Sequence, residues 1–295
     1  MSTIPKSILA KLERLIGRSL NGVPDNDLRQ LADESVEKAR AGIETDLLSK
    51  PKLVEGLELR GDLFRYLEDS EKARDDYEEV LSLLKEVQDA DGTVGRVCAE
   101  LAVSYDLSGD GSKAKSYYKE AIRTLRGLDP LPVIDIAELN NNLAFIYESE
   151  EEYDKAETCF LDALKSCYEE LGPEHKETAV FYNNVGSFYF KLEHDEQAGK
   201  MHGEALKTRV ELFGELHLET AQSYANLALV LVRSGQVAEG LAHFEKALAG
   251  FESDLDTSGC DYEIVAANYR DVLVSMRDKK AVKSLNQRLK KNGFS

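Results

Sequence analysis

Residues 137–178, AELNNNLAFIYESEEEYDKAETCFLDALKSCYEELGPEHKET, return 42 residues later as AVFYNNVGSFYFKLEHDEQAGKMHGEALKTRVELFGELHLET. Leu143, Ala144, Tyr147, Ala156 and Ala163 become Val185, Gly186, Tyr189, Ala198 and Ala205, and a second step gives Leu227, Ala228, Leu231, Gly240 and Ala247. Repetition at this period is the signature of a solenoid, in which each unit buries its apolar stripe only by stacking on its neighbours. Within a unit, small and large apolar residues recur at three- and four-residue spacings, the pattern of two amphipathic helices. The fold class is therefore all-α. Small residues at 144/186/228 and 156/198/240 allow close helix approach, and large ones at 147/189/231 fill the gap between helices.

Leu143, Ala144, Tyr147, Ala156, Phe160 and Ala163 stand where the tetratricopeptide repeat has a Leu-Gly pair, a Tyr, an Ala, an aromatic and a second Ala, and the unit resembles that repeat. Its period exceeds the usual length of about 34 residues. The extra residues lie in the second helix and in the linkers LGPEHKETA and FGELHLETA. With Asn-Asn before the Leu-Gly slot and an LG-x-x-H linker, residues 93–255 resemble the kinesin light chain type of repeat. The resemblance implies a right-handed superhelical solenoid of antiparallel helix pairs, used as a protein-binding scaffold. No heptad run is long enough to pair with a motor chain. A short chain of this kind is similar to the bacterial kinesin light chain-like proteins that accompany bacterial tubulins, which makes a tubulin-like filament the expected partner.

The spacing predicts a degenerate first pair over 1–50, a repeat solenoid over 51–255 and a capping pair over 256–295. Its inner pairs fall at about 51–88, 93–127, 132–171, 176–213 and 218–255. The first amphipathic helix is expected over 4–19, with Ser2 or Thr3 as cap and Pro5 in the first turn. A second helix should follow to about Leu48. Gly109-Asp110-Gly111 reads as an inter-helix turn, 129–132 (DPLP) as a rigid connector, and 256–259 (DTSG) as a loop. Arg60 occupies a slot where Leu is usual.

The formal net charge is −18, which argues against nonspecific nucleic-acid binding. The charge is unevenly spread: 1–20 carries a net +3 and 270–295 a net +6, so the body between them is strongly acidic. No run of 18 apolar residues suggests a membrane span, and Lys6, Lys11, Glu13, Arg14 and Arg18 interrupt any signal-peptide core. A cytoplasmic location is expected. Cys98, Cys159, Cys167 and Cys260 have no metal-ligand spacing and read as buried reduced thiols. No cofactor is expected. Gly109–Lys113 lacks the spacing of a phosphate loop, no His-Glu-x-x-His occurs, and no nucleophile–base constellation stands out. The chain does not read as an enzyme.

Asn142, Asn184, Asn226 and Asn268 recur at 42-residue intervals. An amide both donates and accepts, so such a ladder could hold a partner's backbone; it could equally tie neighbouring helices together. By resemblance to the family, the partner-facing wall would comprise Asn141, Phe145, Asn183, Ser187, Phe190, Lys191, Ala225, Leu229 and Arg233. Phe145 and Leu229 could instead be core. His175 and His217 recur in the linkers, and His202 takes the aromatic slot of Phe160 and Phe244. A basic patch is expected from Lys279, Lys280, Lys283, Arg288, Lys290 and Lys291. Those lysines could bind an acidic partner or simply keep the terminal helix soluble. Two rival functions are a peptide-sensing regulator and a peripheral membrane adaptor anchored through the helix at 4–19. The apolar face of that helix would serve packing on Leu28, Leu31 and Val36 equally well.

Overall fold

The structure, a computed structural model, describes residues 5–17, 20, 23–43, 49–85, 87 and 90–294. Among these residues there are fourteen helices and no strand. They are α1 (Lys6–Ile16), α2 (Asp25–Ile43), α3 (Ser49–Tyr66), α4 (Ser70–Leu84), α5 (Asp91–Leu107), α6 (Gly111–Leu125) and α7 (Val133–Ser149), then α8 (Tyr153–Leu171), α9 (Lys176–Lys191), α10 (Asp195–Phe213), α11 (Leu218–Arg233), α12 (Val237–Phe251), α13 (Leu255–Ser275) and α14 (Lys279–Lys291). The chain divides into two units, Met1–Ile146 and Tyr147–Ser295, with the boundary inside α7.

In the first unit, α1 packs on α2 and α3 through Ile8, Leu12, Leu28, Ala32, Leu59 and Leu63, all buried. Leu31 packs against the same cluster and Val36 is fully buried. The apolar face of α1 is thus spent on the protein's own core. The expected caps Ser2 and Thr3 lie outside the described residues. Pro5 stands at the N-cap rather than inside the first turn, and its carbonyl accepts from the Ile8 and Leu9 amides at 3.0 and 3.2 Å. The expected end of α2 near Leu48 also falls outside the described residues. Arg60, in its Leu slot, donates to the buried carboxylate of Asp76 at 2.6 and 2.9 Å and to Asp33 at 2.9 Å. One guanidinium thereby links α2, α3 and α4, replacing an apolar contact with an ion bridge.

In the second unit the small slots work as the spacing implies. Ala156, Ala163, Ala198, Ala205, Ala228 and Ala247 are each fully buried. A Cβ added to Gly240 would lie 3.0 Å from the Ala228 carbonyl oxygen and 2.7 Å from the Val232 side chain, so α11 and α12 could not come this close with a larger residue there. The aromatic slot is filled by Phe160, His202 and Phe244, all buried, and burying a side chain of Phe size contributes roughly 1.5–3 kcal/mol.

The linkers explain the LG-x-x-H signature. Gly172 and Gly214 end α8 and α10 with φ 86° and ψ 169°, a region essentially reserved for glycine. Three residues on, His175 and His217 cap α9 and α11, each accepting through Nδ1 from the amide two residues later at 3.3 Å. The inter-helix turns share a second device. Glu68, Gly109, Glu151, Glu193, Gly235 and Arg277 all have φ between 59° and 86°, and they recur every 41 or 42 residues.

Two expectations need correction. Residues 256–259 are not a loop, because Asp254 accepts from the Thr257 amide at 3.3 Å and starts α13 at Leu255. The Ser258 hydroxyl reinforces that turn through the carbonyls of Phe251 and Asp254. The last pair therefore begins before 256. Cys98 and Cys167 are buried, but Cys159 is only partly so and Cys260 is exposed on α13.

Candidate partner-binding site

Within the second unit α11 packs against both α9 and α13, so the first helices of successive pairs form one layer. Each presents a face set by the same register. Asn184, Asn226 and Asn268 are half-buried on it, and one turn later come Ser187, exposed, Leu229, half-buried, and Asp271, exposed. A further turn on, Lys191 and Arg233 are exposed. Ile264 is 60% exposed on the same layer, 42 residues after exposed Gln222. The sequence signal for Ile264 was available, since its register position is the solvent-facing one.

The groups on this face are largely engaged with one another, at a constant offset. Asn226 Nδ2 donates to Asn183 Oδ1 at 2.8 Å, linking α11 to α9. Lys191 Nζ donates to Glu148 at 2.8 Å, a bond that raises the lysine pKa. Arg233 lies 3.6 Å from the centre of the Phe190 ring, donates to the Phe190 carbonyl at 2.7 Å and to Asp195 at 2.6 Å. These first-helix ties join residues 43 apart: one repeat plus one position. The two cations of the expected wall are thus already paired with acids of the chain. Asn183 and Ala225 are buried beneath the face rather than standing on it.

Asn141, Asn142 and Phe145 belong to the first unit. Asn141 is buried and donates to Asn142 Oδ1 at 3.5 Å. Asn142 also hydrogen-bonds the Tyr118 side chain. Phe145 is 43% exposed, which places it on the surface rather than in the core.

Of the expected basic patch, Lys279, Lys280, Lys283, Lys290 and Lys291 are exposed on α14. Arg288 is different. It is half-buried and donates to Glu252 at 2.6 and 2.9 Å and to Glu245 at 2.5 Å; these bonds push its pKa up. Asn292 adds a bond to the same Glu252 at 2.7 Å. Arg288 is a clamp between α14 and α12, not part of a free patch.

No group of three or more His, Cys, Asp or Glu among the described residues is arranged to hold a metal ion. No helix among them is long and apolar enough to cross a membrane.

Paired helices with small residues at their crossings, capped linkers and an exposed first-helix layer define a tetratricopeptide-like solenoid fold, the class used for protein–protein contact. Residues 135–198 and 177–253 match the tetratricopeptide repeat family, which covers the repeats from α7 to α12. No curated protein matches the sequence. Among solved structures, BtubC (BKLC) from P. vanneervenii is 27% identical, with a TM-score of 0.64 over 82% of this chain and 91% of that one. The apo form of RapI is similar in fold at 16% identity, with a TM-score of 0.62 over 79% of this chain and 94% of that one. A kinesin light chain-like protein of Podosopora anserina with nearly identical TPR-like repeats has a TM-score of 0.58 at 14% identity, covering 68% of this chain and 95% of that one.

Proposed function

We propose that the protein is a non-enzymatic cytoplasmic scaffold that binds a polypeptide partner along the first-helix layer of Tyr147–Ser295. The observation that carries this reading is a stripe along the first helices in which Leu229 and the exposed Ile264 each lie one turn from a half-buried amide, Asn226 and Asn268. Apolar spots flanked by amides suit an extended or helical peptide whose backbone needs donors and acceptors. Lys191 and Arg233 frame the stripe while held by Glu148 and Asp195. Phe145, exposed on α7 three residues after half-buried Asn142, offers a smaller surface in the first unit.

The finer reading is that the partner is a tubulin-like filament. Two things support it: the kinesin light chain type of the repeats, and the 27% identity to BtubC (BKLC) over most of both chains. A filament of that class is acidic, and an acidic scaffold would meet it through Lys279, Lys280, Lys283, Lys290 and Lys291. The likeness to RapI is one of fold and does not favour a peptide-sensing role. The membrane reading loses its basis, because the apolar face of α1 is buried.

Leu229 also packs on the core of the second unit, so the first-helix reading is tested at exposed positions, by affinity capture from the native cell with wild type and with Ser187→Glu/Ile264→Glu. The variant should retain its melting temperature and lose the specific partner. Recovery of the same partner in equal amount by both would remove this face from the account.

A further inference from the structure

Within the second unit each first helix lies against the second helix before it, α9 on α8, α11 on α10 and α13 on α12. The outer face of α14 is where the next first helix would lie, and among the described residues no helix covers it. It forms, with the end of α13, a groove of about 630 Å³ whose floor includes Val274 and Val282. Val274 is 56% exposed, and Val282 is only partly buried. Arg277, Lys279, Lys283 and Lys290 line the same groove. Its one acid, Asp278, is occupied in capping α14, accepting from the Ala281 amide at 2.9 Å.

We propose that this groove takes an amphipathic helix with acidic flanks from a partner protein, seated where a further repeat's first helix would pack. A narrow apolar floor between cations matches a helix with apolar residues at three- and four-residue spacing and Asp or Glu on either side. Ordinary core packing does not account for the rim, since four cations beside an exposed valine leave both charge and apolar area uncovered. A second copy is a poor occupant. End to end through this face, it would set the cationic rim against itself, and its α1 brings the exposed cations Lys6 and Lys11. The inference deepens the scaffold reading, naming the element that the basic end would meet.

The test is a fluorescence anisotropy titration with a labelled synthetic helix of about 18 residues, long enough to fold on contact. One probe has leucines on one face flanked by glutamates; the other has the same composition shuffled so that the leucines encircle the helix. The full chain should bind the amphipathic probe at least about tenfold tighter than the shuffled one. Val274→Glu and, separately, Lys283→Glu/Lys290→Glu should each weaken that binding about tenfold. All three positions are solvent-facing, so unchanged circular dichroism is expected. Equal binding of the two probes would reduce the groove to a nonspecific cationic surface and overturn the inference. So would variants that bind like wild type, or a dimer by sedimentation velocity that either variant abolishes. Filament binding that persists without any affinity for the amphipathic probe would retire the helix and leave the scaffold reading in place.

Discussion

Asn226 Nδ2 donates to Asn183 Oδ1 at 2.8 Å, so one rung of the asparagine ladder holds two neighbouring repeats together. The acceptor is buried and the donor half-buried, which makes the bond costly to leave unmade. Asn226→Ala should lower stability by about 1–3 kcal/mol, the penalty for stranding a buried polar atom. A cycle with Asn183→Ala should return a coupling energy of about 0.5–1.5 kcal/mol in urea unfolding. Zero coupling would mean that the two amides do not hold the repeats together through one another.

His202 fills the aromatic slot of α10, and burial followed by the nearby Arg209 charge lowers its pKa to about 4. The unfolded chain, with an ordinary histidine near 6.5, therefore binds more protons between those values than the folded one does. Stability is fully present above about pH 6.5 and falls as pH drops toward 4, by on the order of 3 kcal/mol. His202→Phe, matching Phe160 and Phe244, should flatten this part of the pH–stability curve. An unchanged slope would assign the acid sensitivity to other groups.

Glu193 has φ 61° at the turn between α9 and α10, while Gly235 takes the same place one repeat on. A left-handed backbone costs a non-glycine residue about 1–2 kcal/mol, against roughly 0.4–1 kcal/mol of unfolded-state entropy for glycine. Glu193→Gly should therefore raise the urea midpoint by a few tenths to about 1 kcal/mol of stability, and Gly235→Glu should lower it. If both midpoints stay put, the turn is not strained at that residue.

Much of this architecture was legible because a repeat fixes its own register. Ala144, Gly186 and Ala228, and the slot shared by Phe160, His202 and Phe244, follow from counting in steps of 42. The left-handed turn position was equally periodic, yet glutamate at 68, 151 and 193 disguised what glycine at 109 and 235 would have announced. The ties of Lys191 to Glu148 and of Arg233 to Phe190 were not legible at all. They join residues 43 apart, one more than the 42-residue period, so counting in steps of 42 does not pair them. Composition misled at 256–259, where DTSG resembles a loop but the carboxylate of Asp254 just before it starts a helix. Arg288 is obscured for a related reason, since a basic residue in a lysine-rich helix gives no sign that Glu245 and Glu252 wait on α12 and its C-cap, two helices back.

The most direct measurement is co-sedimentation with tubulin-like filaments across a salt series, using wild type and Lys279→Glu/Lys280→Glu/Lys283→Glu. Charge steering of this kind is screened over about 8 Å at physiological ionic strength, so wild type should pellet at low salt and be released as salt rises. The triple variant, changed only at exposed positions of α14, should keep its helicity and stay in the supernatant at every salt concentration. Wild type that never pellets, or a variant that pellets equally with it, would contradict the filament-scaffold account.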